Sequence, residues 1–242
     1  MATMKALILA AGKGSRMKSD LPKVVHKIND KCLAEYVIDE VKKAGVDDIC
    51  LVTGYKEDIV KANINREVSY VNQPEQLGTG HAVMCAKDFL GNEGSVLILC
   101  GDTPLIRAES LKNLMDFHIK NNNMATVLSA KADDPTGYGR IVRNEKGEFL
   151  KNVEHKDASI EERKICEINS GMYVFDCQAL SNALSHLKND NAQNEYYLPD
   201  AVYIIKNMGQ KVDAMMIEDM TEIAGVNTKE QLEYAKSVID NR

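Results

Sequence analysis

Apolar residues along this chain come either in short unbroken runs or at every third or fourth position, and the two patterns alternate. Residues 6–11, Ala-Leu-Ile-Leu-Ala-Ala, form the first run. A strand with one wet face would alternate apolar and polar side chains, so this run predicts a strand buried on both faces. Leu33, Val37, Ile38 and Val41 then recur at helical spacing, with Gly45 placed to end the helix. The alternation continues through strand 49–52, helix 56–64, strand 68–71, helix 81–90 opened by Gly78-Thr79-Gly80, and strand 96–99, which leads into Gly101-Asp102. A helix past Ile106 and a strand over 125–130 extend it.

From Asp133 the pattern loosens. Asp133-Asp134-Pro135-Thr136-Gly137-Tyr138-Gly139 is rich in turn formers, and residues 140–154 predict a hairpin with Asn144, Lys146 and Gly147 in its turn. Strand 167–175, helix 196–208, strand 212–217 and a closing helix over 229–239 complete the chain. The expected fold is α/β, a Rossmann-like, mostly parallel but mixed sheet with helices on both faces and a small inserted β sub-region, all in one domain over 1–242. Ligands of such sheets bind beyond the carboxyl ends of the strands, so Gly12 and Asp102 can face one cleft.

The formal net charge of -6 argues against a broad nucleic-acid surface and makes any phosphate binding local. Six cysteines, none at C-x-x-C spacing and several in apolar runs, are expected to be buried reduced thiols rather than a disulfide frame or a zinc site. No stretch approaches the ~18 apolar residues of a membrane span, and no secretory signal opens the chain. A cytoplasmic protein with neither membrane nor nucleic-acid partners is expected.

The first strand ends at Gly12-Lys13-Gly14, where small residues let successive backbone N–H groups converge on phosphate oxygens, with Lys13, Arg16 and Lys23 adding charge. It is not the P-loop, which needs Gly-Lys followed by Ser or Thr. Nor is it the dinucleotide fingerprint, since Met17 stands where the third glycine belongs.

Leu9-Ala-Ala-Gly-Lys-Gly-Ser-Arg-Met17 with Pro22-Lys23 resembles the signature of nucleotidyltransferases that make nucleotide sugars. Further stretches narrow the likeness: Gln73-Pro-Glu-Gln-Leu-Gly-Thr-Gly-His81, Gly101-Asp102, Asp134-Pro-Thr-Gly-Tyr-Gly-Arg140, Val153-Glu-His-Lys156, Glu167-Ile-Asn-Ser-Gly171, Asn194-Glu-Tyr-Tyr197 and Gly225-Val-Asn227. Together, over almost the whole chain, they resemble the uridylyltransferase domains of the bifunctional bacterial enzymes that make UDP-N-acetylglucosamine.

The resemblance implies that UTP and N-acetylglucosamine 1-phosphate react to give UDP-N-acetylglucosamine and pyrophosphate. It implies Arg16 and Lys23 as catalytic cations and Mg²⁺ held by Asp102 and Asn227. For the nucleotide it implies Leu9, Ala10, Ala11, Gly12, Gly14, Gln73, Gln76, Gly78 and Thr79. For the sugar it implies Gly139, Glu154, Asn169, Tyr196 and Tyr197, with a sugar-binding sub-region over about 131–170. Asn227 also stands where it could cap the closing helix. Cys100 departs from the family, whose members often carry tyrosine there. The chain also lacks the hexapeptide-spaced aliphatic residues of the relatives' acetyltransferase β-helix. The expectation is a monomer or weak dimer without acetyl transfer. Transfer to glucose 1-phosphate, transfer from dTTP, and a non-catalytic nucleotide-sugar-binding module stay open as alternatives.

Overall fold

The computed structural model describes residues 3–242. In chain order its elements are β1 (Met4–Leu9), a ribbon of β2 (Lys27–Ile28) and β3 (Lys31–Cys32), α1 (Leu33–Lys43), β4 (Ile49–Thr53), α2 (Glu57–Asn63), β5 (Ser69–Asn72), α3 (Thr79–Cys85), α4 (Lys87–Leu90) and β6 (Ser95–Cys100). Then follow α5 (Ala108–Lys120), β7 (Ala125–Lys131), β8 (Arg140–Arg143), β9 (Phe149–Val153), β10 (Glu167–Asp176), α6 (Cys177–Leu184), α7 (Leu198–Asn207), β11 (Val212–Ile217) and α8 (Lys229–Asp240).

Seven strands of one mixed sheet lie in the order β11-β7-β10-β6-β1-β4-β5, and β8 and β9 branch from β10. β1 sits between β4 and β6, parallel to both, while β10 runs antiparallel to β6 and β7. The all-apolar runs have a direct physical reason. Ala6 and Ile8 point into one core with Val37, Ile38, Val60, Leu111 and Leu114 from α1, α2 and α5. Leu7 points into the opposite core with Val83, Leu180, Ala201 and Val202 from α3, α6 and α7. The middle of β1 therefore serves two cores, and Ala6, Leu7 and Ile8 must all be apolar.

β1 stops at Leu9, two residues short of the expected end. The Ala10 N–H still donates to the Val52 carbonyl at 2.8 Å, after which the chain turns away with Ala10 and Ala11 buried. The helix expected over 81–90 begins at Thr79 and breaks at Ala86 into α3 and α4. The sequence reading missed α6, which Asp176 caps by accepting the Ala179 N–H at 2.8 Å. Tyr196 and Tyr197 precede α7 instead of opening it, and Pro199 occupies its first turn, where no N–H is needed. Thr228, not Asn227, caps α8 through a reciprocal pair with Gln231. All six cysteines are free; Cys32, Cys50 and Cys177 are buried as expected, while Cys85, Cys100 and Cys166 are half-buried.

Candidate active site

The loop after β1 carries the first cations. Among the described residues, the backbone N–H groups from Ala11 to Arg16 donate to no protein acceptor, which leaves six amides for an anion. Gly14 lies at φ 67°, and a Cβ on it would stand 2.6 Å from the Lys23 Cβ. Glycine there lets the loop close against Lys23, so that the loop's amides and the lysine share one site.

Lys23 forms an ion pair with Asp102, which follows the end of β6, and its Nζ donates to Asn227 Oδ1 at 2.9 Å. Arg16 Nη2 donates to the same Oδ1 at 2.9 Å. Four residues from the ends of β1 and β6 and the approach to α8 therefore meet. Asn227 is held in turn: its N–H donates to Gln231 Oε1 at 2.8 Å, while the neighbouring Val226 N–H donates to the Asp102 carbonyl at 2.8 Å. Because one ammonium satisfies both Asp102 and Asn227, their oxygens converge on a single point suited to a cation. Two hard oxygens are few, a set that fits Mg²⁺, which completes its octahedron with water and phosphate. Among the described residues no group of three or more His, Cys, Asp or Glu side chains is placed to hold a metal.

A cavity of about 240 Å³ opens beside Leu9, Ala11 and Gly12, closed by Gln73, Gln76, Gly78, Thr79 and Glu195. The floor depends on close approach: a Cβ on Gly54 would lie 2.9 Å from Gln76 Nε2 and 3.0 Å from the Ala11 Cβ. Gln73 is only 3% exposed, and its Nε2 donates to the Gly78 carbonyl at 3.1 Å. Gly78, at φ 106°, is pressed against the backbone of Tyr196, where a Cβ would meet the Tyr196 carbonyl at 2.6 Å.

A second cavity of about 270 Å³ shares Leu9, Thr79 and Glu195 with the first and brings together Gly139, Glu154, Asn169 and Tyr197. Here the residues are locked to one another. Asn169 Nδ2 donates to the Tyr173 hydroxyl at 2.7 Å, and its Oδ1 accepts the Gly171 N–H at 2.9 Å. Glu154 Oε1 accepts from Asn152 at 3.2 Å, and burial pushes the Glu154 carboxyl above its ordinary pKa. A Cβ at Gly139 would come within 2.9 Å of both Glu154 Oε1 and Asn152 Oδ1, so the glycine leaves room for the carboxylate. A third cavity, about 330 Å³, shares Cys100, Gly137, Tyr138 and Ser170 with the second and reaches Arg16, Asp102 and Asn227. The three form one cleft.

Of the residues singled out in the sequence, Ala10, only 2% exposed, lines none of the three cavities, and Tyr196 is also placed otherwise. It does not line the sugar-side cavity; its ring packs 6.4 Å from that of His81, and its backbone ties Leu77 and Gly80. The sequence reading missed Glu195, which lines both the first and the second cavity, and Gly54, Tyr138 and Gly171. The adjacency of Glu195 to the Tyr196-Tyr197 motif was the available signal. Cys100 lies on the wall shared with the cation cluster, and burial pushes its thiol up to about 12, so it acts as a neutral wall atom.

Residues 5–222 match the family model described as Nucleotidyl transferase. The chain is 48% identical over 238 residues to the Bifunctional protein GlmU of Clostridioides difficile, covering 98% of this chain and 52% of the relative. It is 51% identical over 242 residues to the Bifunctional protein GlmU of Caldanaerobacter subterraneus, covering 100% and 53%. The chain thus spans about half the length of these curated relatives. Among solved structures, a UDP-glucose pyrophosphorylase complexed with UDP-glucose matches 100% of this chain and 99% of that one, with a TM-score of 0.80 at 21% identity, a likeness of fold alone.

Proposed function

The chain belongs to the nucleotidyl transferase family, and we propose that it transfers the uridylyl group of UTP to N-acetylglucosamine 1-phosphate. The reading rests above all on the meeting of Arg16, Lys23, Asp102 and Asn227 beside six amides without protein acceptors, at the end of a cleft with two further compartments. The cavity at Gln73 and Thr79 takes the uracil and ribose, and the one at Glu154 and Asn169 takes the sugar. The sub-region over about 131–170 then supplies one wall of the sugar site.

In the reaction an oxygen of the sugar phosphate attacks the α-phosphorus of UTP. The bond from that phosphorus to the α,β-bridging oxygen breaks, and its electron pair leaves with pyrophosphate. The nucleophile is already an anion, so no covalent protein intermediate is required; the chain aligns two phosphates and offsets their repulsion. The Arg16 guanidinium can fork across oxygens that gain charge on the leaving group. Lys23 is a point charge that the incoming phosphates draw from Asp102. Mg²⁺ bound by Asp102 and Asn227 would supply further charge neutralisation at the phosphates.

Glu154 has no cationic partner within ion-pair distance among the described residues and is suited to accept hydroxyl hydrogens of a neutral sugar. Asn169 has one amide hydrogen and one lone pair left for the acetamido group. A reaction that consumes a nucleoside triphosphate belongs in the cytoplasm. Pyrophosphate release measured over UTP, dTTP, CTP and ATP against N-acetylglucosamine, glucosamine and glucose 1-phosphates tests the proposal. The highest kcat/KM is expected for UTP with the N-acetylated sugar. Equal kcat/KM for glucose 1-phosphate would refute the sugar assignment.

A further inference from the structure

His81, on α3, lines neither of the two cavities that share Leu9 and Thr79, yet it contacts a side chain that lines one. Gln73 Nε2 lies 3.1 Å from the Gly78 carbonyl oxygen and 3.1 Å from His81 Nδ1. A carbonyl oxygen can only accept, so the atom facing it is the amide nitrogen, and the orientation of the carboxamide follows. The second amide hydrogen then points at His81 Nδ1, which must carry a lone pair. The imidazole proton of neutral His81 is thereby assigned to Nε2, whose neighbour is Cys85 Sγ at 3.8 Å. Burial pushes the Cys85 thiol up, leaving a neutral sulfur able to accept weakly.

Both donors of Gln73 are thus engaged within the protein. Its Oε1 has no donor among the described residues, although the side chain is 3% exposed and lines the cavity beside Ala11 and Gly12. We infer that His81 is a positioning residue that, together with the Gly78 carbonyl, holds Gln73 as an acceptor toward the nucleotide cavity, and so helps to set which bases the protein takes. A base that presents a ring N–H at this contact, as uracil and thymine do at N3, satisfies Oε1. Cytosine presents a bare N3 there, and two facing acceptors leave both unpaired. The inference rests on the reading of this cavity as the base site. It also implies that this contact does not separate uracil from thymine.

The test compares kcat/KM for UTP and CTP in the wild type, His81→Asn and His81→Leu. Asparagine places Oδ1 where the histidine holds Nδ1, whereas leucine fills the space without an acceptor. The wild type is expected to favour UTP by about 100-fold or more, and His81→Asn to stay within about threefold of that ratio. His81→Leu is expected to lower the ratio by about tenfold or more, with the KM for N-acetylglucosamine 1-phosphate unchanged. A leucine variant that keeps the ratio, or leucine and asparagine variants that change it equally, would overturn the inference. Long-range ¹H–¹⁵N spectra of the wild type at pH 8 decide the arrangement however the variants fold: a proton on Nε2 is expected, and one on Nδ1 overturns it. A wild type that turns over neither triphosphate refutes the uridylyl reading instead, and the tautomer still reports on the His81–Gln73 contact.

Discussion

The two ends of the cleft are built on opposite electrostatic terms. At the end we propose for the phosphates, Arg16, Lys23, Asp102 and Asn227 come from separate segments and satisfy one another, with Lys23 and Asp102 still 18% and 16% exposed. At the end we propose for the sugar, Glu154 and nearby Asp200 are carboxyls held above their ordinary pKa, first by burial and then by neighbouring carboxylates, Asp157 beside Glu154 and Glu154 beside Asp200, with Asp200 up to about 6. The contrast separates two kinds of recognition. On the proposed reading, partly exposed cations await phosphates and offset charge as it moves, whereas carboxyls kept from water await neutral hydroxyl donors and depend on fixed shape.

If that contrast holds, removal of the divalent cation has the largest effect. Excess chelator is expected to abolish pyrophosphate release, Mg²⁺ to restore it, and Asp102→Asn to blunt the rescue; full turnover in chelator would refute the metal assignment. Arg16→Ala comes next, with kcat expected to fall about 100-fold or more while the KM for UTP changes little. A raised KM with unchanged kcat would place Arg16 in ground-state binding. Gly139→Ala probes the other end, because its Cβ would lie 2.9 Å from Glu154 Oε1. We expect the KM for the sugar phosphate to rise about tenfold with that for UTP unaffected, and parallel changes in both would dissolve the distinction between the ends.

The smallest effect is on stability. Folded Asp200 holds its proton up to about pH 6, whereas an unfolded aspartate loses it near pH 4. Between these values the folded state binds more protons, so this contribution is fully present below about pH 4 and is lost as pH rises through about 6. Asp200→Asn, which cannot ionise, is expected to raise Tm at pH 7.5 by about 5 °C and to leave it unchanged at pH 4. Thermal melts at the two pH values check this, and an equal gain at both would assign the effect to packing.

The central strands were legible because they carry side chains for two cores, as Leu7 and Ile8 do on opposite faces of β1. Boundaries were less so. Ala10 and Ala11 read as strand because they are apolar, but they are apolar in order to lie buried under the loop that turns toward the cleft. Tyr196 read as a sugar contact, while its backbone bonds to Leu77 and Gly80 make it a support for the cavity beside Gln73. No local pattern announces that use, since it requires two segments more than a hundred positions apart to touch.

By itself the sequence determined the α/β alternation, the glycine loop after the first strand, and the residue types able to neutralise phosphate or hold Mg²⁺. Those follow from periodicity and side-chain chemistry, which are local. Only the tertiary structure decided that Lys23 and Arg16 share one oxygen of Asn227, that Thr228 rather than Asn227 caps α8, and that Gln73 spends both donors on Gly78 and His81. Which lone pair remains for a ligand is set by the partners already engaged. Those partners, 211 positions apart for Arg16 and Asn227, meet because the parallel strands deliver their carboxyl ends to the same edge of the sheet.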